Sequence, residues 1–293
     1  MKKVIIVGGG SASWATAWQI LRSESVEEIQ VIHSGTVQII GTGEGATGSL
    51  DDVILRGDHK DFLNETNSTV KLGILFENWQ GDGTSFNKYV DAWYYDARRK
   101  GKDIDVMYKI LDEDIDTNDV SINAFLMKHE LQDFEEVKRH TFHFDGKNVG
   151  QFFKNRCLKS DKVTSIIDTI TDVEVNDGKV ISLHGEKDSY TADFYIDSTG
   201  FRRLFASFID HEFEPYEEWL DINGAVPFLL PQKDQAYTVS RAMKNGWMWE
   251  VPKTNNLGAG YNYSTKHISS DEVIAEAQEF LGHDIEPIKV VEY

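Results

Sequence analysis

The residues best suited to chemistry sit in a handful of short stretches. Gly8-Gly9-Gly10-Ser11-Ala12-Ser13 follows the apolar run Val4-Ile5-Ile6-Val7 and leads into a helical run from Trp14 to Leu21. Glycines let a backbone turn tightly and approach a pyrophosphate, and a helix N-terminus offers it free N–H groups and a partial positive charge. The spacing is Gly8-x-Gly10-x-x-Ser13, with a small serine at the position that serves close helix–strand packing. A second glycine run, Gly41-Thr42-Gly43-Glu44-Gly45-Ala46-Thr47-Gly48-Ser49, carries one carboxylate and suits backbone lying against a flat ring or a phosphate, or a plain surface loop. Lys71 is an amine in an alternating stretch, Val70-Lys71-Leu72-Gly73-Ile74-Leu75-Phe76; on pattern alone it is a solvated edge charge. His140, His143 and Asp145 could be metal ligands, but their spacing fits no standard site, and His143-Phe144-Asp145 reads better as a strand entering a helix around Val149 to Cys157. Trp247 and Trp249, spaced by two, share one strand face and can wall off a space from water or simply fill a core.

The elements that must position these residues follow from periodicity. Val4–Val7 and Glu28-Ile29-Gln30-Val31-Ile32-His33 read as neighbouring parallel strands. An acidic residue commonly ends the second strand and binds ribose hydroxyls. Here His33-Ser34 takes that place, which weakens the case for NAD and leaves a flavin's adenosine open. Alternation from Val70 to Phe76 predicts one half-buried strand, with Lys71 and Gly73 facing the site. Residues 86–148, with Trp93-Tyr94-Tyr95 and Lys109-Ile110-Leu111-Asp112-Glu113-Asp114, read as insertion helices over a site. Ser165 to Leu183 reads as a β-hairpin turning at Asp177-Gly178. Ala192 to Gly200 is then a strand ending in Asp197 and Gly200 that can return beside the first and meet the same cofactor. Two such turns with a hairpin before the second give the layout of a glutathione-reductase-like FAD fold. Pro252 ends the tryptophan strand, and Ser269 or Ser270 caps a helix from Asp271 to Leu281.

Composition sets bounds. With 293 residues the chain can bury a sizeable core. A formal net charge of −19 argues against nucleic acid and against an anionic membrane surface. Cys157 is the single cysteine, so no internal disulfide forms and a reducing, cytoplasmic compartment fits. No stretch resembles a signal peptide or reaches the length of a membrane span.

In order along the chain, Gly8 to Trp14, Gly43-Glu44-Gly45-Ala46-Thr47, Lys71 with Phe76-Glu77-Asn78-Trp79, His143-Phe144-Asp145, Ile196-Asp197-Ser198-Thr199-Gly200-Phe201-Arg202 and Trp247-Met248-Trp249-Glu250-Val251-Pro252 resemble the flavin-dependent tryptophan halogenases. The last is close to the W-x-W-x-I-P signature that separates them from related flavin monooxygenases. The resemblance implies an α/β fold, FAD/NAD(P)-binding and Rossmann-like, with an inserted helical and β substrate region. It implies residues 1–80 and 140–210 as a discontinuous FAD-binding core, 81–139 as a helical insertion and 211–293 as a substrate-side sheet region.

The implied reaction starts with reduced flavin from a separate NAD(P)H-dependent reductase. It reacts with O₂ to a hydroperoxide, which a bound halide attacks to give hypohalous acid. That acid reaches a lysine beside an electron-rich, indole-like aromatic substrate. Lys71 matches this lysine; it would donate a hydrogen bond as a cation or become a haloamine as a free amine. Trp247 and Trp249 match the pair that keeps substrate from the flavin. Gly8, Gly9, Gly10, Ser11, Ala12, Ser13, Ser34, Glu44, Gly45, Ala46, Val173, Asp197 and Gly200 are the implied cofactor contacts, and no metal is expected.

The departures are specific. His33 replaces a glutamate, Gly48 a proline and Leu75 a second lysine, and the His-x-Phe-Gly element that sandwiches an indole is missing after Trp79. The sequence ends at Tyr293, before the family's C-terminal halide-binding turn, the glutamate paired with the lysine and further substrate aromatics. A fragment, a homodimer, a completing chain, a flavin monooxygenase and a non-catalytic flavin binder therefore all stay open as alternatives.

Overall fold

Val4, Ile5 and Ile6 are fully buried, as strands covered on both faces of a parallel sheet must be. The computed structural model describes residues 2–35, 44–47, 50–55, 58–89, 122–129, 140–209, 214 and 216–292. Two compact units emerge, Met1–Gly41 with Gly146–Pro215 and Thr42–Asp145 with Tyr216–Tyr293. Residues 42–80, expected within the FAD-binding core, belong to the second unit. Gly41-Thr42-Gly43, Gly48-Ser49, Trp93-Tyr94-Tyr95, Lys109 to Asp114, Tyr293 and, of the expected 81–139 insertion, residues 90–121 and 130–139 lie outside the described residues.

In the first unit four parallel strands lie in the order Phe194–Asp197, Lys3–Val7, Glu28–His33, Val163–Ile167. Val7 pairs with Asp197 on one side and Ile32 on the other, so the strand ends carrying Gly8, Ser34 and Ser198 are aligned. The helix Ser11–Ile20 follows the glycine turn, and the helix Gly146–Cys157 packs against it. Gly150 permits that approach, since a Cβ there would stand 3.3 Å from Ser11 Cα. A three-stranded antiparallel sheet holds Ile170–Asn176, Lys179–Gly185 and Ser189–Tyr190. Its turn residues Asp177 and Gly178 have φ of 50° and 70°, the left-handed pair that a tight two-residue hairpin requires. Ile170, Val173 and Leu183 bury themselves with Ile5, Val7, Ile32, Leu204 and Phe205. At about 1.5–3 kcal/mol per fully buried aliphatic side chain, this cluster readily anchors the hairpin to the sheet.

The expected hairpin from Ser165 needs correction. Val163–Ile167 is the fourth parallel strand, and the hairpin begins only at Ile170. The break is Asp168-Thr169, where the buried Asp168 carboxylate accepts from the N–H groups of Thr169, Lys187 and Asp188 and from the Tyr190 hydroxyl. Local pattern does not reveal such a break, because the bonds that make it come from Lys187, Asp188 and Tyr190, about twenty residues on.

In the second unit a seven-stranded sheet runs Val291–Glu292, Gly224–Leu230, Leu257–Tyr263, Gly246–Pro252, Tyr237–Ala242, Gly73–Glu77, Ser85–Tyr89. The helix Ser270–Leu281 starts at a capping box between Ser269 and Glu272 and ends at Gly282, φ 75°. Its Val273 and Ala277 pack on Val226, Tyr261 and Tyr263. A smaller antiparallel sheet holds Glu44–Gly45, Thr141–Phe144 and Thr69–Lys71.

The single strand expected from Val70 to Phe76 is in fact two. Thr69–Lys71 belongs to the small sheet and Gly73–Glu77 to the large one. The switch is the fully buried Leu72, whose N–H donates to the Ala236 carbonyl while its own carbonyl accepts from Asn123 Nδ2. Val70, Lys71, Leu72 and Gly73 are all buried, which no simple alternation predicts. Among the described residues, no helix is long and apolar enough to cross a membrane.

Candidate functional site

The C-terminal ends of the four parallel strands in the first unit converge on a cavity of about 570 Å³. Such a place, outside the carboxyl ends of an α/β sheet, is where this architecture binds ligands. Gly8, φ +131°, carries the chain past the neighbouring turn; a Cβ there would stand 2.3 Å from the Ser198 carbonyl oxygen. Gly10 is different: a Cβ there would meet nothing within 4 Å, so its backbone borders open space. Gly10 is also the N-cap of the helix Ser11–Ile20, and no side chain caps that helix. The Ser13 hydroxyl is buried and has no hydrogen-bond partner. An uncapped helix start and an orphaned hydroxyl beside a bare glycine turn form a cradle suited to a pyrophosphate.

Of the residues expected to contact the cofactor, Gly8, Gly9, Gly10, Ser11, Ala12, Ser34 and Gly200 line this cavity. Ser13 does not line it; its Oγ lies 2.8 Å from where a Cβ on Gly8 would stand. Asp197 and Val173 do not line it. Asp197 braces the second turn instead: Oδ1 accepts from the Thr199 N–H and hydroxyl, and Oδ2 from the Phe205 N–H at 2.8 Å. Val173 is a core side chain whose N–H donates to Asp172 Oδ1.

His33 lines the cavity with Nε2 3.0 Å from Ser165 Oγ. Burial and then the Lys154 cation push its pKa down, against a smaller opposing effect of a hydrogen bond that the ring donates to the Ser34 backbone. Where related folds present a carboxylate to a ribose, this chain therefore presents a neutral ring. Asp168, Thr169, Ile170 and Arg202 also line the cavity and were missed. Reading Val163–Ile167 as a fourth parallel strand would have found Asp168, since the residue after each such strand faces the same crevice. Arg202 is oriented by a 2.8 Å bond from Nη2 to the Ile170 carbonyl.

In the second unit Lys71 is only 7% exposed, so the solvated-charge reading fails. The pairings Lys71–Thr141, Thr69–His143 and Gly45–His143 place these side chains on one face of the small sheet. Lys71 crosses the middle strand, and its Nζ stops 2.7 Å from the point where a Cβ on Gly45 would stand. The missing side chain of Gly45 is thus the space occupied by the amine. Glu44, half-buried, and Ala46, buried, flank it. His143 is fully buried between Thr69 Oγ1 and Thr238 Oγ1; burial, then the Lys71 cation, hold its pKa well below the ordinary imidazole range.

Trp247 and Trp249 share the sheet face opposite the helix Ser270–Leu281, ring centroids 6.0 Å apart. The Trp249 indole lies over Gly260, where a Cβ would come within 2.1 Å of it. Phe86, Phe76, Trp79 and Trp247 continue the row at centroid spacings of 4.9, 6.1 and 6.3 Å. On the other face, buried Glu250 receives Arg241 Nη1 and Lys233 Nζ, each at 2.9 Å.

A family model described as tryptophan halogenase matches residues 3–290. Tryptophan 6-halogenase ThaL of Streptomyces albogriseolus is 25% identical over 323 residues, 97% of this chain and 60% of that protein. Tryptophan 7-halogenase RebH of Lentzea aerocolonigenes is 24% identical over 330 residues, 99% of this chain and 61% of that protein. The chain thus spans about 60% of the length of these curated relatives. Among solved structures, the tryptophan halogenase from Shewanella frigidimarina NCIMB 400 superposes with a TM-score of 0.83 at 21% identity, over 100% of this chain and 62% of that one. Xcc4156, a flavin-dependent halogenase from Xanthomonas campestris, gives 0.82 at 21% identity, over 100% and 62%.

Proposed function

The chain belongs to the tryptophan halogenase family, whose model matches residues 3–290, and from that premise we propose that it is an FAD-dependent halogenase of an electron-rich, indole-like small molecule. The observation that carries this reading is the buried amine of Lys71, held in the space that Gly45 leaves free. A surface lysine could not hold a reactive halogen species away from water.

The first unit's cavity fits the nucleotide end of FAD on its own chemistry: open backbone at Gly10, an uncapped helix start and the unpartnered Ser13 hydroxyl. Gly8 to Ala12 would hold the pyrophosphate, while Ser34 and the neutral His33 would face the adenosine hydroxyls. Arg202 and the Ser198-Thr199-Gly200 turn would close the other side. When bound in its reduced form, FAD with O₂ and a halide supplies the oxidising power that makes hypohalous acid; a separate NAD(P)H-dependent reductase supplies the reduced flavin.

Lys71 then directs that acid in one of two ways. As an ammonium it donates a hydrogen bond and orients the halogen towards the aromatic ring. As a free amine its lone pair attacks the halogen; an N–halogen bond forms, the halogen–oxygen bond breaks, and the departing oxygen leaves as water with the amine's proton. Trp247 and Trp249 would exclude the substrate from the flavin while a small oxidant passes. Glu44 and Ala46 would position the strand edge on which Gly45 lies.

The test is mass spectrometry after incubation with FAD, a flavin reductase, NADH, bromide and an indole. A brominated product that disappears in Lys71→Met supports the reading. A hydroxylated product would make the chain a flavin monooxygenase, and tight flavin binding without product a non-catalytic relative.

A further inference from the structure

We propose that His143 is the positioning residue of Lys71: a neutral imidazole, protonated at Nδ1, that ties the lysine strand to the Pro252 end of the tryptophan strand. The inference rests on Lys71 being the working amine, but its first readouts need no halogenation.

The proton positions follow from counting donors. The Thr69 hydroxyl has one hydrogen, and it goes to the Pro252 carbonyl oxygen at 2.8 Å. Towards His143 Nδ1, 3.3 Å away, Thr69 Oγ1 can therefore only accept, so Nδ1 carries the ring hydrogen. Nε2 lies 2.9 Å from Thr238 Oγ1 and, in a neutral ring, accepts from that hydroxyl. The ring is fully buried, and the charged group that acts on it is Lys71. A second positive charge there would be both desolvated and repelled, so neutrality is the stable state.

The result is a hydrogen-bond chain running one way. Thr238 donates to His143, His143 to Thr69, and Thr69 to Pro252. It links the strands Tyr237–Ala242, Thr141–Phe144, Thr69–Lys71 and Gly246–Pro252. Lys71 follows Thr69 by two residues on the same face and reaches past His143 to Gly45. Where Thr69 is pinned, Lys71 is pinned. The same chain fixes the end of the strand that carries Trp247 and Trp249, so the amine and the tryptophans share one brace.

The first measurement is a long-range ¹H–¹⁵N correlation on the intact labelled chain at pH 7. The expected signature for His143 is a neutral ring protonated at Nδ1; an Nε2–H tautomer or an imidazolium overturns the proposal. The second follows the Lys71 titration through labelled lysine, assigned with Lys71→Arg. His143→Phe should move the Lys71 midpoint by about one unit, a tenfold change in its protonation equilibrium. It should also lower kcat about tenfold with KM within about twofold, as expected of a misplaced reacting group. His143→Asn, which keeps a donor towards Thr69, should recover most of both effects. A folded His143→Phe protein with unchanged Lys71 midpoint and kcat overturns the inference. Should His143→Phe not fold, the tautomer of the unsubstituted protein still decides. A moved Lys71 midpoint in a protein that halogenates nothing would support the positioning role and sink the functional reading alone.

Discussion

Substituting Gly45 by alanine tests whether the position of one amine governs turnover. Gly45 is not among the glycines with positive φ, so alanine fits its backbone. The added Cβ would stand 2.7 Å from Lys71 Nζ, 3.5 Å from Cε and 3.6 Å from Cδ, so only the amine must yield. Restoring ordinary contact of about 3.4 Å displaces Nζ by about 0.7 Å. Because the obstacle is the end of a flexible side chain, the stability cost should stay near 1 kcal/mol. A catalytic group misplaced by roughly an ångström can cost about a hundredfold, so a loss of about 10- to 100-fold in kcat is expected. Turnover with excess reductase, flavin affinity by fluorescence quenching and urea unfolding should be measured together. The expected pattern is a large fall in kcat with flavin affinity and stability nearly intact. Unchanged turnover in a folded protein would refute the argument. A loss that tracks weakened flavin binding would instead make Gly45 a cofactor contact.

Gly8→Ala should destabilise by about 3 kcal/mol or more, because it combines φ +131° with a Cβ 2.3 Å from the Ser198 carbonyl oxygen. Gly10→Ala should cost under about 1 kcal/mol, its Cβ meeting only open space, while weakening FAD affinity; comparison of urea midpoints and flavin titrations separates the two. Burial pushes the Asp168 carboxyl up, but the Tyr190 hydroxyl and the N–H groups of Thr169, Lys187 and Asp188 outweigh it and bring it below its ordinary 3.8. Its stabilisation is therefore complete above that value and lost as pH falls through the lower folded one. Asp168→Asn should unfold more easily than the parent at pH 7, and the two should converge in acid. Burial pushes the Cys157 thiol up to about 12, so a disulfide reagent at pH 8 should label it only after unfolding; rapid native labelling would contradict its buried placement. Gly260→Ala should force the Trp249 indole off the sheet and red-shift tryptophan emission, since its Cβ would fall 2.1 Å from that ring.

The first unit was largely legible in the sequence. Val4–Val7 and Glu28–His33 read as parallel strands and Phe194–Asp197 as one that returns beside the first, and the glycine turn between the first strand and helix carries its own chemistry. The Asp177-Gly178 turn and the Ser269 capping box are equally local signals. What failed was continuity. At Leu72 alternation runs on unbroken, and Asp168 lies within one continuous β-type stretch, yet at both the chain leaves one sheet for another, because partners distant in sequence supply the hydrogen bonds at the break.

The sequence by itself determined which residues could bend, bury or bind: the glycine cradle, the paired tryptophans and a lone lysine in an apolar stretch. Only the tertiary structure decided what Lys71, Asp197 and His143 do. Lys71 is buried because Thr141–Phe144 pairs beside it and Gly45 leaves room for its amine. Asp197 became a brace because its own turn folds back onto both carboxylate oxygens. His143 became a neutral link because hydroxyls from two other strands close on its ring. Local patterns encode bends and faces. Burial and proton position belong to groups that arrive from elsewhere in the chain.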